Sequence, residues 1–187
     1  MIRQLLLSSR PLSWVNTAFP FAAGYLLVTH EVDLVFVQGT LYFLIPYNLA
    51  MYGINDVFDY ESDMRNPRKG GVEGAVLDKS LHRITLWAVV ITNVPFVVFL
   101  VAVGSPLSWL VLAVSLFAVL AYSAPKLRFK ERPFIDSLTS STHFVSPAVY
   151  GLVLAGAVFT PGLWAVRCCS PHPGRAPSPP CSRCPTP

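Results

Sequence analysis

The chain has 187 residues, 53% of them apolar and only 13% charged, with a net charge of +4 and a mean hydropathy of +0.52. A soluble domain carries about a quarter charged residues, so the composition excludes an ordinary water-soluble core and points to a chain embedded in a membrane. The basic residues sit in loops between apolar runs, so the sequence pI near 9.0 reflects topology and not nucleic-acid binding.

In chain order, Arg3 and Arg10 precede a first apolar run, Pro11 to Thr29. It is long enough to remain as a span and lacks a small-residue cleavage site, so no cleaved signal peptide is expected. Leu34 to Asn55 follows, 22 residues without a single charge. Ile84 to Pro125 is an uncharged run of 42 residues that Gly104-Ser105-Pro106 divides by a tight turn. Leu138 to Val166 adds a further 29 uncharged residues. Five membrane-spanning helices are therefore predicted, at 11–29, 34–54, 84–103, 107–123 and 138–160, giving an all-α, multi-pass transmembrane helix bundle.

Charge sets the orientation. Arg3 and Arg10, then Arg65, Arg68, Lys69, Lys79 and Arg83, then Lys126, Arg128, Lys130 and Arg132 fall on one side of this topology. The other connections, His30 to Asp33 and Gly104 to Pro106, hold no Lys or Arg. The N-terminus and both long polar loops are thus expected to face the cytoplasm. Residues 1–166 form the membrane domain. Residues 167–187 hold all 4 cysteines and seven of the 17 prolines, without hydrophobic periodicity. This tail is expected to be disordered, and its cysteines are read neither as a zinc site nor as a disulfide framework. Its abrupt change of character suggests translation out of frame, with the native protein continuing into more spans.

The chemistry concentrates at Asn55-Asp56-Val57-Phe58-Asp59-Tyr60-Glu61-Ser62-Asp63, at the end of the second span. On a helix Asn55, Asp59 and Asp63 fall at about 0°, 40° and 80° and Asp56 at about 100°, while Glu61 at about 240° points away. An amide and three carboxylates on one face suit a hard divalent cation such as Mg²⁺, which takes oxygen ligands and is shared with substrate phosphates. A solvated helix end is the plainer alternative. A calcium loop lacks the required glycine and distal Glu. Arg65, Arg68 and Lys69 follow, with Gly70-Gly71, and cations beside metal ligands suit a diphosphate.

The string Asn55-Asp56-x-x-Asp59-x-x-x-Asp63 resembles the first aspartate-rich motif of the UbiA superfamily of intramembrane prenyltransferases. Tyr122-Ser123-Ala124-Pro125-Lys126-Leu127-Arg128-Phe129-Lys130 is similar to that family's second recurring string, and the resemblance covers about residues 8 to 165. The longer run from Asn55 to Gly71 is most similar to the lycopene elongase branch, which adds prenyl units to lycopene on the way to C50 carotenoids. The resemblance implies a fold of about nine helices, of which this chain would supply about five. Nothing here matches the family's second aspartate-rich motif, because Asp136 is the sole acidic residue after Glu131.

The implied reaction is Mg²⁺-dependent transfer of a prenyl group from an allylic diphosphate to a hydrophobic, lipid-soluble acceptor, with lycopene expected. Asn55, Asp56, Asp59 and Asp63 would hold the metal. Arg68, Lys69 and Arg128 would bind the diphosphate. Tyr122 and Lys126 would be catalytic, helping the diphosphate to ionise. Tyr52, Phe58 and Tyr122 are candidate faces for the allylic cation. His143, among Ser140, Ser141, Thr142 and Ser146, is either a polar cavity residue or a helix-packing group. A quinone precursor, a tetrapyrrole or a glycerol lipid is the alternative acceptor, and a catalytically inactive membrane fragment the alternative of another class. The expected location is a bacterial plasma membrane.

Overall fold

The computed structural model describes residues 2–64, 77–125 and 127–157. All regular structure among them is helical. The helices are α1 (Ile2–Ser8), α2 (Trp14–Thr29), α3 (Leu34–Leu44), α4 (Pro46–Phe58), α5 (Tyr60–Asp63), α6 (His82–Val103), α7 (Pro106–Ser123) and α8 (Pro133–Leu154). Short 3₁₀ turns lead into α2, α6 and α8.

Three stretches are long and apolar enough to cross a membrane: Leu34–Phe58, Lys79–Val103 and Pro106–Ser123. The two remaining expected spans are helices that differ from this type. α2 is only 16 residues long, about 24 Å at 1.5 Å per residue, against a hydrocarbon layer of about 30 Å. α8 has 22 residues, but Asp136, Thr139, His143 and Ser146 make it polar. α2 and α8 pack closely on each other. A Cβ on Gly24 would lie 2.7 Å from the Ala148 carbonyl oxygen, and one on Gly151 would lie 2.5 Å from that of Phe21. Small residues let the two backbones touch, which is how helices associate where lipid supplies no hydrophobic driving force.

The span expected at 34–54 is broken. Proline has no N–H and clashes with the preceding turn, so α3 ends at Leu44 and Pro46 opens α4. The carbonyls freed by the break must be satisfied internally in lipid. Asn48 Nδ2 donates to the Phe43 carbonyl at 2.8 Å and to that of Leu44 at 3.1 Å. Thr17 Oγ1 donates to Phe43 O at 2.7 Å, and Asn93 Nδ2 to Pro46 O at 2.9 Å. Asn48 and Thr17 are fully buried, and their hydrogen bonds tie α2 and α4 together at the break.

An aromatic centre fills the bundle beside this joint. Phe21, Tyr42, Phe43, Tyr47 and Tyr150 are all fully buried, with ring centroids 5.1 Å apart for Phe21–Phe43 and 5.0 Å for Tyr42–Phe43. Between α6 and α7 the tight turn takes the expected form: Ser105 and Ser108 cap each other reciprocally and Pro106 opens α7.

Candidate functional site

The site is built on the last turn of α4. The helix ends at Phe58, and Asp59 leaves helical geometry at φ −99° and ψ 3°. Helical hydrogen bonds nevertheless bridge the break: the Asp59 N–H donates to Asn55 O at 2.9 Å and the Asp63 N–H to Asp59 O at 2.8 Å. The backbone thus keeps a helical repeat from Asn55 through Asp63. Glu61 is exposed.

Each polar group of this stretch meets a different element. Asn55 Oδ1 accepts from Ser123 Oγ, at the end of α7, at 2.9 Å. Asp56 is 2% exposed; its Oδ2 accepts from Ser8 Oγ at 2.8 Å, and Arg10 Nη2 lies 3.7 Å from its Oδ1. The Arg10 guanidinium also stacks over the Tyr52 ring, 4.4 Å from its centroid. Asp59, 6% exposed, pairs with Lys130 Nζ, and Arg128 Nη2 lies 3.6 Å away. Glu131 Oε1 holds Arg128 from behind, accepting from Nε at 2.9 Å. Asp63 is half-buried in α5. Two buried carboxylates thus stand among three cations, the paired state that a buried charge requires.

Backbone geometry supports a built site. Arg10 and Arg128 adopt left-handed conformations, with φ of 50° and 38°. A non-glycine residue held there costs on the order of 1–3 kcal/mol, and such strain gathers at functional positions. A third residue of this kind, His30 at φ 54°, lies away from the site, whereas the guanidinium groups of Arg10 and Arg128 lie beside the aspartates. Lys130 is partly buried, and that burial pushes its ammonium below its ordinary pKa while Glu131 opposes the shift.

Tyr122 is half-buried and within electrostatic reach of Asp136, Arg10 and Tyr52. Tyr52 lies under Arg10, whereas Phe58 is 41% exposed. Arg68, Lys69 and Lys126 lie outside the described residues, as does the tail from residue 158. Four partners of the cluster were not singled out from sequence. Lys130 and Ser123 stand within the Tyr122–Lys130 string and carried a signal there. Ser8 and Arg10 carried none, because Ser8 lies 48 residues from its carboxylate in the chain.

Asn55, Asp56, Asp59 and Asp63 were also read as metal ligands. Among the described residues no three His, Cys, Asp or Glu side chains converge as an ion requires. The reason is visible in the pairing: Asp56 turns to Ser8 and Arg10, and Asp59 to Arg128 and Lys130. The donor chemistry still fits a hard cation. These are carboxylate and amide oxygens at one helix end, and the buried Asp59 Oδ1 accepts no hydrogen bond among the described residues.

A helical membrane bundle with paired carboxylates and cations at the end of one span defines the class: an integral membrane protein with a charged cluster at a helix end. The chain belongs to the UbiA prenyltransferase family, whose profile matches residues 17–171. It is 63% identical over 163 residues to a lycopene elongase/hydratase of Corynebacterium glutamicum, covering 87% of this chain and 57% of that protein. It is 64% identical over 165 residues to the C(50) beta-cyclic carotenoids biosynthesis protein LbtBC of Dietzia sp., covering 88% and 38%. A lycopene elongase/hydratase of Halobacterium salinarum is 36% identical over 179 residues, covering 89% and 62%. The chain thus spans between 38% and 62% of the length of these curated relatives. No solved structure matches it.

Proposed function

We propose that the chain carries the diphosphate-binding half of a Mg²⁺-dependent prenyltransferase that transfers a prenyl group from an allylic diphosphate to lycopene. The observation that carries this reading is the pairing of buried Asp56 and Asp59 with Arg10, Arg128 and Lys130 at the end of an apolar span. A soluble anion site would need no membrane. A cluster placed here serves a substrate with a charged head and a lipid-soluble tail. The names of the relatives support the carotenoid acceptor.

Asn55, Asp56, Asp59 and Asp63 would hold the divalent ion, which when bound supplies Lewis-acid neutralisation of a diphosphate leaving group. Ion and diphosphate together bring both signs of charge. The carboxylates can then exchange Arg10, Arg128 and Lys130 for the cation while those side chains turn to the phosphate oxygens. Arg forks bind such oxygens bidentately and Lys binds them as a point charge. Arg68, Lys69 and Lys126 would add to this set. Tyr122 and Tyr52 flank the site with aromatic faces suited to an allylic cation. The acceptor, too apolar for water, would enter from the bilayer, and the site would open to the cytoplasm of a bacterial cell.

Expression in lycopene-producing bacteria tests the reading. Pigment extracts are expected to contain lycopene enlarged by prenyl units, and Asp56→Asn or Asp59→Asn to reduce that product by at least 100-fold, since an electrostatic group lost from a dry site costs that much. Unchanged lycopene with the unmodified chain would count against the elongase assignment. Prenylated quinone precursors, tetrapyrroles or glycerol lipids would then identify the other acceptors. Absence of every prenylated product would identify a fragment inactive without the rest of its relatives' length.

A further inference from the structure

Transfer of an allylic cation to a double bond leaves a proton to be removed inside a dry site, and no residue above accounts for its removal. His143 stands where such a group is needed. It lies on α8, ten residues beyond Pro133, about 15 Å along the helix from its polar end. Asp136, Thr139, His143, Ser146 and Tyr150 recur at helical spacing and make one polar stripe. Of its buried groups, Tyr150 Oη has no partner among the described residues, while Thr139 and Ser146 are satisfied: Thr139 Oγ1 donates to Ile135 O at 2.7 Å, and Ser146 Oγ, Ser115 Oγ and Tyr47 Oη form a hydroxyl chain at 2.8 and 2.9 Å. His143 is not. It is 4% exposed, and neither Nδ1 nor Nε2 has a hydrogen-bond partner among the described residues.

The imidazole is not remote from the chemistry. Its ring meets the Tyr122 ring edge-to-face at 5.4 Å, and Tyr122 in turn lies within electrostatic reach of Asp136, Arg10 and Tyr52. His143 therefore lies one aromatic ring inward from the diphosphate end, on the side where the apolar parts of donor and acceptor would meet. An unpaired buried polar group costs free energy, and an ionisable residue inside a membrane helix marks a substrate or proton pathway by default. A neutral imidazole with a free lone pair is the common proton acceptor near neutral pH.

We infer that His143 is the general base that ends prenyl transfer. This rests on the prenyltransferase reading above. The π electrons of the acceptor double bond form the new C–C bond to the allylic carbon, and the diphosphate leaves with the C–O electron pair. The positive charge then resides on the neighbouring acceptor carbon. An adjacent C–H bond gives its electrons to a new C=C bond, and its proton passes to the free ring nitrogen of His143. Release of that proton to bulk water restores the base.

The test uses membranes containing the full chain with dimethylallyl diphosphate and lycopene, reading released diphosphate and pigment products separately. His143→Ala and His143→Gln are expected to release diphosphate within about 3-fold of wild type while elongated olefin falls by roughly 100-fold, the usual weight of a general base. Water-captured, hydroxylated products rise in its place, and added imidazole restores olefin in the alanine variant. The glutamine variant keeps a polar side chain of similar size and serves where alanine does not fold. Unchanged olefin in both variants, or parallel loss of diphosphate release and olefin in a folded variant, overturns the assignment. A wild-type chain that makes no elongated product fails at the prenyltransferase reading itself, and the base has no reaction to serve.

Discussion

At the scale of single residues, the site is held by short-range partners from distant parts of the chain. Ser123 is 1% exposed, and its hydroxyl fixes the Asn55 amide. Groups that orient a ligand typically change metal affinity by 10- to 100-fold when removed. Ser123→Ala should therefore weaken Mn²⁺ binding, followed by electron paramagnetic resonance, by about 10-fold, and Ser123→Thr should retain it. Lys130 pairs with Asp59 at the edge of the bundle. Lys130→Met leaves Asp59 only the longer contact to Arg128, so it should destabilise the fold by about 1–3 kcal/mol. The double change with Asp59→Asn should recover part of that loss, as unfolding in detergent would measure. The carboxylates were legible in the sequence because they share one helix end, where spacing alone assigns a face. Ser8 and Arg10 were not, because only the packing of α1 against α4 brings them to Asp56.

At the scale of elements, two devices decide the arrangement. The first is the break at Pro46, where buried amides and hydroxyls replace the lost helical hydrogen bonds. Asn48→Leu leaves the Phe43 and Leu44 carbonyls without this donor and should cost about 1–3 kcal/mol in the same unfolding measurement. The second is the backbone contact of α2 with α8. Gly151→Leu would drive a side chain into the Phe21 carbonyl, and overpacking of this kind costs about 1–3 kcal/mol. The change should separate α2 from α8, which the same unfolding measurement would read as lost stability. The turn between α6 and α7 follows the sequence closely, since Gly104-Ser105-Pro106 fixes its capping locally. The break in α3–α4 was written in Pro46 as well, but its tolerance inside a span depends on Asn48, Thr17 and Asn93 from three different helices.

At the scale of the whole molecule, the positive-inside distribution predicts that Glu31 and Glu131 lie on opposite sides of the membrane. Single cysteines placed at these positions, in a chain whose 4 native cysteines are replaced, should react with an impermeant thiol reagent from opposite faces. Labelling of both from one face would overturn the topology. The membrane class, the apolar runs and the acidic helix end follow from composition and period, because hydropathy and helical spacing are properties of neighbouring residues. The pairing of Asp56 with Arg10 and Asp59 with Lys130, the retention of polar α8 within the bundle and the unpaired imidazole beside Tyr122 depend on which helices touch. Contacts between residues tens of positions apart arise from packing, so only the tertiary structure could assign them.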